Sequence, residues 1–184
     1  MPLFVQSQWE IYSLIMWNDI EVPLAYLISF RTARSWLHGD KRGSIDRFHN
    51  GYGSPYLPPN ERWWRYNQKR LRAEPVILEG KQRGTIKSAV CETCRIRGWT
   101  LLAVNARTNH VHAVVCADRD PDSVLVAFKA NATRELRVQG LWRQPFSPWA
   151  RKGSRRNLWN ERSVAAAIDY VLNGQGNDLP DFDD

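Results

Sequence analysis

A chain of 184 residues with 43% hydrophobic residues and nine tryptophans can bury the core of one domain, which excludes disorder over most of its length. The formal charge of +7, carried mostly by arginine, suits an anionic polymer as partner, because guanidinium forks match phosphate oxygens. An odd count of three cysteines, no basic leader and no run near the roughly 20 apolar residues of a membrane span argue against a disulfide scaffold or a spanning helix, and lead to the expectation of a soluble, cytoplasmic protein with no membrane partner.

Residues 1–22 read as an N-terminal extension without an assignable role. Pro23 opens a strand signal, PLAYLISFRT, in which Leu24, Tyr26, Ile28 and Phe30 alternate with Ala25, Leu27, Ser29 and Arg31, as a half-buried strand requires. From about 38 to 74 the composition turns to Gly, Pro, Asn, Arg and aromatics, which predicts an insertion with one short helix around Glu61–Arg72. Residues 81–97 carry a helical stripe of Ile86, Ala89, Val90 and Cys94, with Gly98 as C-cap. Two strands follow, 99–106 and 110–116, and the link Arg107-Thr108-Asn109 is short enough for a hairpin. Asp122 or Ser123 is the expected cap of the next helix, striped by Val124, Phe128, Ala132 and Leu136. A basic, Trp-rich stretch then holds a short strand near Arg155–Trp159, a last helix covers about 160–173, and an acidic tail occupies 177–184. This order predicts an α+β fold, a ferredoxin-like split βαβ domain over 23–176 with an antiparallel sheet.

Two features carry chemistry. His110-Val111-His112 sits inside a strand signal, so alternation puts both imidazoles on one face, about 6.5–7 Å apart along the strand, where they can lean onto one cation. Val111, Ala113 and Val115 point the other way, into packing. The ordinary alternative is two histidines on a solvated face, but half of the chain's four histidines stand in this tripeptide. The second feature is Tyr170. Its helix has an apolar stripe of Val164, Ala167, Ile168, Val171 and Leu172, and Tyr170 projects about 130° from the centre of that stripe. It presents its phenol to something beyond its own packing face, either water or a reaction partner. With a reference pKa of about 10, a phenol needs a cation or base and an activated electrophile to act as a nucleophile.

In these residues the sequence resembles the single-tyrosine HUH transposases, including the REP-associated tyrosine transposases. The resemblance rests on Asn109-His110-Val111-His112 followed by Ala113-Val114-Val115, on the strand Leu24–Arg31, on Phe128-Lys129, on Tyr170-Val171-Leu172-Asn173, and on the basic segment Gly153–Trp159. It implies a nuclease that cuts and rejoins single-stranded or hairpin DNA through a 5′-phosphotyrosine formed on Tyr170. It also implies one Mg²⁺ or Mn²⁺ held by His110, His112 and a third polar side chain, and it leaves open a monomer or a homodimer. In well-known members the third ligand follows the tyrosine by four residues; here that position is Gly174, so Asn173 or Gln175 is the candidate.

Arg151, Lys152, Arg155 and Arg156 lie near Trp142, Trp149 and Trp159, a mixture of cations and flat rings suited to single strands. Arg31, Arg34 and Lys129 complete the candidate DNA-binding residues. Cys91-x-x-Cys94 falls within a helix and has no second pair at finger spacing, so it reads as helical packing and not as a zinc site. Two rival readings stand beside the enzyme: a domesticated DNA-binding module of the same fold, and an unrelated metal-binding protein.

Overall fold

The computed structural model describes residues 22–44, 55–71 and 73–174. The N-terminal extension, apart from Val22, and the acidic tail lie outside the described residues. Four strands, β1 (Ala25–Thr32), β2 (Thr100–Ala106), β3 (His110–Cys116) and β4 (Trp149–Leu158), form one antiparallel sheet in the order β2-β3-β1-β4. Among the described residues four helices accompany them: α1 (Glu61–Lys69), α2 (Gly80–Arg97), α3 (Pro121–Val138) and α4 (Glu161–Leu172). The result is α+β, and the strand order with α2 and α3 as crossovers is that of a ferredoxin-like split βαβ domain.

Both faces of the sheet are covered. On one, Tyr26, Ile28 and Phe30 of β1 and Val111, Ala113 and Val115 of β3 pack against Ile86, Val90, Val124 and Phe128 of α2 and α3. On the other, a smaller cluster of Ala25, Ala103, Val114 and Leu158 meets Ala167 and Val171 of α4. The half-buried strand expected at β1 is therefore covered twice, because α4 folds back over the face that alternation assigns to Ala25, Leu27, Ser29 and Arg31. This second layer ends where the side chains become polar, at Ser29, Arg31, His110 and His112.

Local chemistry explains several boundaries. Gly98 ends α2 in the left-handed region, φ +68°, as its position after the stripe predicts. The cap of α3 is Asp120 and neither Asp122 nor Ser123: its carboxylate accepts from the Asp122 amide, and Pro121 takes the first helical position, where no N–H is needed. β4 is longer than the predicted short strand, starting at Trp149, whose ring meets the edge of Phe30 at 4.9 Å. Gly153 allows this pairing. It lies opposite Phe30, and a Cβ there would stand 2.7 Å from the Ser29 carbonyl and 2.9 Å from Leu125.

The insertion after β1 carries structure of its own. Ser44 and Leu57 form an isolated bridge, and α1 is shorter than expected, capped by the Asn60 side chain. None of the α1 residues is buried. The chain then returns to the domain through Val76 and Leu78, whose amides donate to the carbonyls of Ala33 and Thr108.

Candidate active site: a histidine pair beside a tyrosine

The antiparallel register builds a polar row across the sheet face under α4. Asn105 of β2 lies opposite His112 of β3, His112 opposite Ser29 of β1, and Ser29 opposite Ser154 of β4. One step along, His110 lies opposite Arg31. The two imidazoles lean together as alternation allows, with ring centroids 4.8 Å apart. Tyr170, coming from the far end of the chain, sets its ring 5.4 Å from that of His112, edge to face. Three residues singled out in the sequence thus meet within one chain.

Each imidazole has its Nδ1 engaged by a neighbouring oxygen. His110 Nδ1–H donates to Asn109 Oδ1 at 2.6 Å, and His112 Nδ1 is hydrogen-bonded to the Ser29 hydroxyl. An oxygen at Nδ1 orients the ring and makes Nε2 the atom through which each histidine would coordinate a cation. Burial first, then the charges of His110 and Arg31, push His112 down to about 4. His112 is therefore neutral at neutral pH, the form a cation needs. Among the described residues, no three His, Cys, Asp or Glu side chains are grouped to hold a metal ion. A cation on the pair would complete its shell with other oxygen donors, such as amide, phosphate or water. The donor set thus fits a divalent cation through two nitrogens.

α4 positions the phenol. Its start is fixed by a capping box between Asn160 and Ser163. Near its end the Asn105 amide donates to the Val171 carbonyl at 3.0 Å, a group that a helix C-terminus leaves without an internal partner. Leu172, counted in the apolar stripe, is 51% exposed, so the packed arc centres on Ala167 and Val171. Tyr170 then lies about 60° from Ala167 and 100° from Val171, at the flank of that arc and not opposite it. This flank faces His112, and Tyr170 keeps 44% of its surface exposed. Sequence reasoning missed Asn105 and Ser29, because neither residue type nor spacing marks them; the strand register alone brings them to the histidines.

The remaining candidates divide. Asn173 donates through Nδ2 to Asp169 Oδ1 at 2.8 Å, one turn back on the exposed side, which leaves its Oδ1 as the atom that could reach a cation. Gln175 lies outside the described residues. A side chain at Gly174 would collide with Tyr170, its Cβ standing 2.8 Å from the Tyr170 carbonyl and 2.9 Å from the ring. Lys129 is not on the site face; its ammonium donates to the carbonyls of Ala150 and Lys152, tying α3 to β4. Arg155, opposite Ile28 on that same far face, pairs with Asp122 at 3.0 Å. Arg156, opposite Leu27, is on the histidine side; Arg151 and Lys152 fall in the irregular stretch of β4 between Trp149 and Gly153, where the register with β1 shifts, and both are exposed. Arg34 adopts φ +63° in the turn after β1 and donates through Nε to the Glu74 carbonyl, closing the base of the insertion. Of the tryptophans, Trp149 is core, while Trp159 and Trp63 are exposed. Cys94 is a core thiol pushed up to about 12 by burial, and Cys91 is exposed on the same helix.

No family profile matches the sequence, and no curated protein matches it. Among solved structures, a REP-associated tyrosine transposase bound to a REP hairpin is similar at 12% identity and a TM-score of 0.43, over 80% of this chain and 63% of that one. The chain thus spans less than two thirds of that protein's length. A protein provisionally assigned as a transposase from Deinococcus radiodurans R1 is similar at 14% identity and a TM-score of 0.45, over 85% of this chain and 94% of that one. Both are distant likenesses, and what this chain does rests on its own side chains.

Proposed function

We propose that this chain is a metal-dependent, transposase-like nuclease that cuts and rejoins single-stranded or hairpin DNA, with Tyr170 as nucleophile and His110 and His112 as ligands of one Mg²⁺ or Mn²⁺. The observation that carries this reading is the approach of the exposed Tyr170 ring to His112 within a single chain. Helical tyrosines that serve only packing sit inside the buried arc of their helix. This one stands at its rim, against His112, one of two adjoining imidazoles whose Nδ1 atoms are already held.

The bound cation would polarise the scissile phosphate and offset the charge that develops on it. Tyr170 Oη would attack phosphorus as the bond to the 3′-oxygen breaks, leaving a 5′-phosphotyrosine and a free 3′-hydroxyl. The phenol proton ends, in net terms, on that hydroxyl. Attack by another 3′-hydroxyl on the phosphotyrosine reverses the step and joins strands, so no external energy source enters. Asn109 and Ser29 would hold the imidazoles in the ligating tautomer, and Asn105 would hold the turn of α4 that bears Tyr170. Arg156, on the same side of the sheet, suits the phosphates of the strand.

Incubation of the full chain with Mn²⁺ and end-labelled single-stranded or hairpin DNA tests this. The expected result is a covalent protein–DNA species that persists in denaturant, is abolished by Tyr170→Phe and falls by at least about a hundredfold in His110→Ala or His112→Ala. Failure to trap such a species with any single strand would sink the enzyme.

One observation favours a second reading, a DNA-binding module of the same fold without turnover. Gly174, four residues after Tyr170, has no side chain, and among the described residues no Asp, Glu, Cys or further His joins the histidine pair to hold a metal ion. Tight single-strand binding together with no adduct would support that reading.

A further inference from the structure

Arg31 stands apart from the other cations of the site. Its guanidinium lies 3.3 Å from the centroid of the Trp36 ring, stacked on the indole. Among the described residues no carboxylate, carbonyl or hydroxyl accepts a hydrogen bond from it, although the group is mostly buried. The nearby acid does not serve it: Asp40 Oδ1 accepts from Arg42 Nε and the Arg42 amide, and Asp40 Oδ2 accepts from Arg42 Nη2. Burial above all, opposed by Tyr56, Asp40 and Tyr170 and reinforced by Arg42, brings Arg31 down to about 10, so it stays protonated at neutral pH. A half-desolvated cation with five N–H donors and no acceptor is poised for an anion.

The anion it faces is set by position. Arg31 is opposite His110 in the sheet and near enough to Tyr170 for their charges to interact. Trp36 is held in turn by the insertion: its Nε1–H donates to the Gly43 carbonyl at 2.8 Å, and the exposed Tyr56 meets its edge at 5.6 Å. We propose that Arg31, clamped on Trp36, binds a phosphodiester of the single strand next to the histidine pair, and that the insertion after β1 builds this subsite, with Tyr56 as a platform for the adjoining base. This rests on the DNA reading above and adds to it the side of the site on which the strand lies. A planar guanidinium stacked on an indole cannot swing, so both of its open edges are aimed before the strand arrives.

The test separates this inference from the reading beneath it. Binding of fluorescein-labelled single-stranded DNA is followed by anisotropy across a salt series, in the full chain carrying Tyr170→Phe and with chelator present. Arg31→Gln is expected to weaken binding about tenfold and to flatten the salt dependence by about 0.7 in the log–log slope, the change for one phosphate that is no longer neutralised. Arg31→Lys keeps the charge but not the planar fork, so affinity falls while the slope stays. Trp36→Ala is expected to lower affinity with the charge unchanged, and Tyr56→Ala to weaken binding of a strand but not of an abasic one. Parent-like affinity and slope in Arg31→Gln, with Arg156→Gln impaired, would overturn this subsite and leave the nuclease standing. A parent protein that binds no single strand would overturn both. Where thermal melting shows that Arg31→Gln or Trp36→Ala does not fold, Arg31→Lys and Trp36→Phe decide: reduced affinity in both supports the subsite, and parent-like affinity in both removes it.

Discussion

His112 illustrates how one side chain links folding to chemistry. Its folded-state pKa lies below the unfolded value, held at about 4 by burial and by His110 and Arg31. Protonation is thus easier in the unfolded chain. The sign follows: stability is fully present above about pH 6.5 and is lost as the pH falls toward about 4, because unfolding takes up a proton over that window. Denaturant melts of the metal-free protein should show a decline of order 2–3 kcal/mol across it, and His112→Gln should flatten the decline. An equal slope in the variant would mean that other groups cause it. Asn105 offers a second test. Loss of its bond to the Val171 carbonyl in Asn105→Ala should cost about 1 kcal/mol. It should also slow adduct formation about tenfold or more while single-strand affinity is retained, if its contribution is to hold the turn of α4 that bears Tyr170. Parallel losses in binding and rate would instead point to general unfolding. At Gly153 the expectation is purely structural: Gly153→Ala crowds the Ser29 carbonyl and Leu125 and should lower stability by about 1–3 kcal/mol in thermal melts.

Among the elements, α4 is the one whose docking decides the site, and its hold on the sheet is weaker than that of α2 or α3. α2 and α3 share the large cluster with the centre of the sheet, whereas α4 buries only Ala167 and Val171. Its capping box and the Asn105 bond supply the rest of its anchorage. Native-state hydrogen exchange should therefore find the amides of α4 opening at lower free energy than those of α2, β1 or β3. Global-only exchange for α4 would contradict this. Asn160→Ala should lower its protection further by about 1 kcal/mol through loss of the cap. A helix that docks on so small a surface can be set by a few polar interactions, and those interactions are what bring the phenol to the imidazoles. The insertion behaves differently. Its helix buries nothing of its own, and its hold on the domain runs through Trp36, Arg34 and the returning segment at Val76 and Leu78.

At the scale of the molecule, the +7 charge is not spread evenly over function. The sheet separates it: Arg31 and Arg156 stand on the histidine side, while Lys129 and Arg155 are engaged on the other. One phosphate neutralised by each of the two cations on the histidine side predicts a log–log salt slope of about −1.4 for single-strand binding, at about 0.7 per phosphate. A slope several times steeper would place the strand on the far side as well. No helix among the described residues is long and apolar enough to cross a membrane.

Much of this arrangement is legible in the residues themselves. Alternation decides which way His110 and His112 point and which way Val111, Ala113 and Val115 point, because a strand's period of two depends only on local geometry. Helical period and the glycine after Arg97 mark α2 to within a residue, and the order of elements implies the sheet. What only the tertiary structure decided is which distant segments share a face. Ser29 and Asn105 reach the histidines through strand register, Arg31 is pinned by the Trp36 indole in the turn after β1, Tyr170 is turned to the rim of its helix, and Lys129 is tied to carbonyls of β4 on the other face. None of these follows from spacing along the chain, since each depends on long-range pairing in which residues with no local pattern become neighbours.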